Sequence, residues 1–157
     1  MCLIEGKTMT DQPASKTRLQ DVSSQAAGFD RLRQARQTEV AEDYVELIAD
    51  LLAEEGEARA VDLAERFGVS HATVNKTLAR LSREGFVQTR PYRSIFLTEK
   101  GAALAVSSRK RHEIVLGFLI AIGVSPDTAA IDAEGIEHHV SNETLDIFEK
   151  ILTKKSS

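Results

Sequence analysis

A chain of 157 residues, 42% hydrophobic and 28% charged, has the material for one ordinary domain or two small lobes sharing a core. Its 20 Lys/Arg against 24 Asp/Glu exclude a basic coat over the whole molecule, and its single cysteine, Cys2, excludes a disulfide framework or a thiolate metal cage. The longest apolar run, Ile114 to Val124, falls short of the roughly 18 residues that span a bilayer, and Met1-Cys2-Leu3-Ile4 is no signal-peptide core, so a cytoplasmic protein without a membrane partner is expected.

In chain order, residues 1–30 are polar, contain Pro13 and read as a flexible N-terminal arm. From about Leu32 to Glu55, Val40, Tyr44, Leu47, Ile48, Leu51 and Leu52 recur at helical spacing, and Gly56 ends that helix. A short helix over Ala60–Phe67, a turn at Gly68-Val69-Ser70 and a third helix over His71–Glu84, capped by Ser70, follow. Phe86–Thr89 and Ser94–Leu97 read as strands flanking the tip Arg90-Pro91-Tyr92-Arg93. Thr98 caps a long helix from Glu99 to Ile122, Ser125-Pro126 starts a helix that runs through Glu134, Glu137 and His138, and Ser141 caps a last helix to Leu152. The fold class expected is mainly α: a winged helix-turn-helix over 31–98 and a helical metal-binding and dimerisation domain over 99–157.

Helix, turn, helix and hairpin form the layout of a DNA-reading winged helix. Leu63, Phe67, Val74, Leu78 and Leu81 make its core, and Gly68 sits where the turn needs a positive φ. The charge agrees. Residues 71–100 carry Lys76, Arg80, Arg83, Arg90, Arg93 and Lys100 against Glu84 and Glu99, while the flanking segments are acidic. His71, Thr73, Asn75, Lys76, Thr77 and Arg80 on the outer face of the third helix, with Arg90, Tyr92 and Arg93 at the hairpin tip, are the expected contacts to double-stranded DNA.

A second constellation concerns charge that ought not to gather. Glu134, Glu137 and His138, at i, i+3 and i+4, share one side of a helix with Ile131 and Ile136, and Asp43 and Glu46 make another acidic edge. With His112 they form a sulfur-free set of four carboxylates and two imidazoles, suited to Mn²⁺ or Fe²⁺, one or two ions per subunit, rather than to a tetrahedral Zn²⁺ thiolate. Spacing alone leaves open a solvated acidic face: Asp43 and Glu46 stand among Glu39, Glu42, Asp50 and Glu54, and His112 follows Arg109-Lys110-Arg111. His139, about 100° around the helix from His138, reads as a support behind the ligands or as structural, not as a ligand.

The winged helix followed by Arg111-His112-Glu113 and by Asp132-Ala133-Glu134-Gly135-Ile136-Glu137-His138-His139 resembles the diphtheria toxin repressor family of metal-activated repressors, and most closely its manganese-responsive MntR branch. The resemblance runs over about residues 36–152. It implies that Asp43, Glu46, His112, Glu134, Glu137 and His138 are the metal ligands. Carboxylates stand at Asp43 and Glu134 where the iron-responsive branch carries Met and Cys, which implies Mn²⁺ over Fe²⁺. As a departure from the iron branch, the chain stops soon after its last helix, so no SH3-like third domain is expected. The expected protein is therefore a manganese-dependent repressor of manganese-uptake genes, a homodimer on operator DNA, joined through Ile114, Val115, Phe118, Leu119, Ile122, Ile147, Phe148 and Ile151. The alternatives are an iron-responsive member and a winged-helix regulator sensing an organic ligand. No Glu-x-x-His pair, nucleophile or glycine-rich phosphate loop is present, so neither an enzyme nor an organic cofactor is expected.

Overall fold

The computed structural model of the protein describes residues 19–90 and 92–155; residues 1–18 of the expected arm, and Pro91 at the hairpin tip, lie outside the described residues. Within them the elements run α1 (Val22–Glu54), α2 (Ala60–Phe67), α3 (His71–Arg83), β1 (Val87–Gln88), β2 (Phe96–Leu97), α4 (Glu99–Ala121), α5 (Pro126–Ile136) and α6 (Asn142–Lys155).

Helix α1 starts at Val22 rather than near Leu32, so residues 22–30, assigned to the flexible arm by composition, are helical instead. The reason is local. The Asp21 carboxylate accepts hydrogen bonds from the N–H groups of Ser23 (3.0 Å) and Ser24 (3.3 Å), and farther along the helix Asp30 takes bonds from Arg33 and Gln34. No core covers this extension, and Val22, Phe29 and Leu32 stay exposed.

From Ala41 onward α1 becomes part of the first core. Ile48, Leu63, Val74 and Leu81 are wholly buried there, each worth about 1.5–3 kcal/mol of removed apolar surface. Gly68 adopts φ +65° and closes the tight turn between α2 and α3. Ser70 caps α3 by accepting the Thr73 N–H at 3.1 Å. The strands pair antiparallel, Val87 with Leu97 and Gln88 with Phe96, and are shorter than the alternation suggests. The approach to β2 is claimed by another partner: Ile95 donates its N–H to Ala58 O at 2.7 Å, and Ser94 Oγ accepts the Ala58 N–H at 3.0 Å. The wing is thereby stitched to the segment before α2.

Helix α4 is the spine between the lobes. Thr98 Oγ1 accepts the Gly101 N–H at 3.0 Å and donates to Gly85 O at 2.6 Å, locking the start of α4 against the wing. The approach is so close that a Cβ at Gly101 would lie 2.0 Å from Phe86 O. Farther on, α4 packs against α1 and then receives α5 and α6. Val115, Ala133 and Leu145 centre this second core, with Phe118 stacked on Phe148 at 3.8 Å.

One expectation for α5 needs correction. Ile131 and Ile136 are 74% and 36% exposed, and Ala129 and Ala133 take the buried positions that bring α5 close to α4. The helix ends at Ile136, not beyond His138, with Glu137 as its C-cap and a tight turn closed by His139 N–H to Ile136 O at 3.0 Å. Arg111 holds that turn. Its guanidinium donates to Glu137 O (2.7 and 3.0 Å) and Val140 O (2.5 Å), carbonyls that a continuing helix would have used itself.

Candidate metal centre

All six expected donors line one open cavity of about 610 Å³ between α1, α4 and the end of α5. Asp43 and Glu46 enter from α1, His112 from α4, Glu134 from the last turn of α5, and Glu137 and His138 from the turn that Arg111 grips. His112 Nδ1 and carboxylate oxygens of Glu134 and Glu137 lie within 4.8 Å of one another. The closest pair is His112 Nδ1 with Glu137 Oε2 at 2.5 Å, and Glu134 Oε1 stands 3.7 Å from the same nitrogen. On the other side His138 Nε2 lies 3.2 Å from Asp43 Oδ1 and 3.5 Å from Glu137 Oε1. Glu137 thus faces both imidazoles.

Burial grades the set. Glu137 and His138 side chains are 4% and 2% exposed, whereas Glu134 is 70% exposed and forms the outer lip. Desolvation pushes the Glu137 carboxyl above its ordinary range, against the pull of the His112 hydrogen bond. Burial likewise raises Glu46, opposed by the Ser108 hydroxyl and by Arg109. His138 is raised too, to about 10, first by its contact with Asp43 and then by Glu42, which together outweigh desolvation. The Ser108 hydroxyl is 1% exposed and stands behind Glu46, away from solvent. A sulfur-free shell of carboxylates and imidazoles, two of its carboxyls raised by burial, fits a hard divalent cation.

Sequence reasoning missed several residues here. Glu42, counted among the solvated acids of α1, is buried and places Oε2 2.6 Å from His138 Nδ1. Arg111 was legible only as part of Arg-His-Glu, with no hint that it clamps the α5 turn. Arg109 pairs with Asp50 at the rim. Phe67, the last residue of α2, lines the cavity and stacks on Tyr44 at 4.6 Å, so the helix-turn-helix touches the wall of the site. His139, expected to be structural, lies outside the cavity lining, its Nε2 3.5 Å from Glu39 Oε2.

The expected DNA face divides. His71, Thr73, Asn75 and Lys76 are exposed on α3, and His71, Asn75, Arg90, Tyr92 and Arg93 line a groove of about 710 Å³ between α3 and the wing, together with Arg59. Tyr92 is fully exposed at φ +58°, a left-handed conformation uncommon for a residue with a side chain. Thr77 is half-buried, and Arg80 turns inward, its guanidinium donating to Gln37 O and Glu84 at 3.3 Å with its side chain 23% exposed. Arg80 therefore braces α3 against α1.

Two family models match consecutive parts of the chain: the iron dependent repressor N-terminal DNA binding domain over residues 37–95, and the iron dependent repressor metal binding and dimerisation domain over 98–156. The chain belongs to the iron-dependent repressor family. The junction between the two matches falls at the foot of the wing, where α4 begins. Among relatives, the chain is 54% identical over 132 residues to the transcriptional regulator MntR of Salmonella typhimurium, covering 84% of each protein. It is 39% identical over 105 residues to the HTH-type transcriptional regulator MntR of Lysinibacillus sphaericus, covering 67% of this chain and 76% of that one. Among solved structures, a manganese-dependent transcriptional repressor in complex with manganese superposes with a TM-score of 0.65 at 28% identity, covering 72% of this chain and 52% of that one. The manganese regulator SloR gives a TM-score of 0.64, also at 28% identity, covering 72% of this chain. The chain spans about half the length of these two solved proteins.

Proposed function

We propose that this protein is a manganese-dependent transcriptional repressor that binds operator DNA as a homodimer when Mn²⁺ occupies the cavity, and that it controls manganese-uptake genes. The observation that carries the reading is the convergence of Asp43, Glu46, His112, Glu134, Glu137 and His138, drawn from three separate elements, on one cavity whose wall includes α1 and the end of α2. The relatives named transcriptional regulator MntR, and the solved manganese-dependent repressor in complex with manganese, support the choice of ion.

The cation's part is to supply positive charge that lets carboxylates of two lobes share one space. The residues do the rest. Asp43 and Glu46 are fixed to α1, which carries the DNA-reading lobe, while Glu134, Glu137 and His138 belong to the α5 side. Unneutralised, these carboxylates repel and favour a looser lobe arrangement; neutralised, they hold one arrangement and lower the ordering cost of docking on DNA. Glu137, lying between His112 and His138, is suited to serve two adjacent ion positions, consistent with one or two ions per subunit. Exposed Ile120, Ile122 and Ile147 on the C-terminal lobe support a homodimer there, which would present two α3 helices to a palindromic site. Of the expected partner residues, Val115 is wholly buried in the protomer's own core, and Ile114, Leu119 and Phe148 are half-buried against it. Among the described residues no helix is long and apolar enough to cross a membrane, and a cytoplasmic regulator rather than an enzyme is the role this set of features suits.

The test is fluorescence anisotropy on an operator selected in the presence of Mn²⁺, titrated with Mn²⁺, Fe²⁺ and Zn²⁺. Manganese-dependent binding is expected, lost in Glu137→Ala. Equal affinity with and without any divalent ion would refute the co-repressor role.

A further inference from the structure

Among the described residues Glu42 and Glu137 are the buried carboxylates, and only Glu137 lines the cavity. A buried carboxylate is costly unless it is paired and hydrogen-bonded. Glu42 stands behind His138, with Oε2 2.6 Å from Nδ1, while the opposite ring nitrogen, Nε2, faces Asp43 Oδ1 at 3.2 Å and Glu137 Oε1 at 3.5 Å. The two contacts define opposite sides of one imidazole: a rear side against α1 and a front side in the cavity.

We propose that Glu42 is a positioning residue of the metal centre, accepting the Nδ1–H of His138 and thereby fixing Nε2 as the donor presented to the cation. The inference rests on the metal-binding reading above and adds to it a group that does not touch the ion. A neutral imidazole has two tautomers, and only one leaves a lone pair on Nε2. His138 needs outside help to hold that tautomer and that ring plane, because it lies beyond the end of α5, in a turn without a helical register. Glu42 supplies the help from a rigid part of α1, between the buried Ala41 and Tyr44. A carboxylate behind a ligating imidazole also raises the basicity of the front nitrogen, which strengthens a bond to a cation.

The test uses the full chain as wild type, Glu42→Ala and Glu42→Gln. Mn²⁺ binding is measured by the paramagnetic resonance signal of the free aqua ion, and thermal unfolding of the ion-free proteins reports the fold. Glu42→Ala is expected to lose about 10–100-fold in Mn²⁺ affinity. Glu42→Gln should recover most of it, because its amide oxygen accepts the same N–H. In histidine-labelled NMR of the Cd²⁺-loaded protein, His138 should carry its proton on Nδ1, protected from exchange in wild type and Glu42→Gln. Wild-type affinity in Glu42→Ala overturns the proposal, as does an equal loss in both variants or a His138 protonated at Nε2. Should Glu42→Ala fail to fold, the Gln affinity and the NMR assignment decide the matter. Failure of the wild type itself to bind Mn²⁺ would overturn the underlying metal reading, a separate and distinguishable result.

Discussion

Cation uptake by this protein should release protons, and His138 sets the minimum. With Asp43 and Glu42 on its two nitrogens its pKa stands at about 10, against an ordinary 6.5, so at neutral pH the ring is an imidazolium in the ion-free protein. For Nε2 to become a donor that proton has to leave. At pH 7.5 the separation from about 10 is roughly 2.5 units, a cost on the order of 3 kcal/mol taken from the intrinsic binding free energy. The apparent Mn²⁺ affinity should therefore climb about tenfold per pH unit between about pH 7 and 8.5. The raised Glu46 and Glu137 carboxyls add to proton release at lower pH and do not subtract from it. Stability of the ion-free fold has a definite sign too. A folded pKa above the unfolded value means that the Asp43–His138–Glu42 contact contributes fully below about 6.5 and is lost as pH rises toward about 10. Calorimetric titration with Mn²⁺ at pH 7.5, in buffers of differing ionisation enthalpy, should return about one proton or more released per subunit. Release of none, with an affinity flat across that pH range, would refute the charge state assigned to His138.

Gly101→Ala should destabilise the protein by at least about 1–3 kcal/mol in urea unfolding, since the new methyl meets the Phe86 carbonyl at 2.0 Å and a backbone oxygen cannot step aside; unchanged stability would mean that α4 does not start hard against the wing. Lys76→Ala, at an exposed position on α3, should weaken DNA binding across sequences and reduce the slope of log affinity against log salt by about one. Arg80→Ala should leave that slope alone and lower the unfolding temperature, because its guanidinium is engaged by Gln37 O and Glu84. Glu134→Cys should move the metal ranking from Mn²⁺ toward Zn²⁺ and other soft ions, read by competitive titration; an unchanged order would remove Glu134 from the ligand set.

How far the molecule could be read from its residues depends on whether the deciding interaction is local. The limits of α2, α3 and α4 were legible because Ser70 and Thr98 cap their own helices and Gly68 makes its own turn. That six donor-type side chains would gather at one cavity was legible because their types and spacing are unusual, and the chain's resemblance to metal-activated repressors singled them out. The end of α5 was not, since Arg111, far off in sequence, takes the Glu137 and Val140 carbonyls that would have continued it. Residues 22–30 were misjudged for a different reason: low apolar content argues against a core, but a capped and side-chain-bridged helix extending from a packed one needs none.

The sequence by itself determined the kinds of chemistry available: a basic winged helix, a sulfur-free donor set, and the absence of a thiolate cage. Only the tertiary structure decided which members of a charged crowd matter. Glu42 and Glu39 look alike along α1, yet one is buried against His138 and the other stands at the rim. Lys76 and Arg80 look alike along α3, yet one faces solvent and the other is folded onto α1. The physical reason is common to both pairs. Helical spacing tells which residues share a face, while desolvation and pairing, which set what a charge does, depend on what the rest of the chain lays across that face.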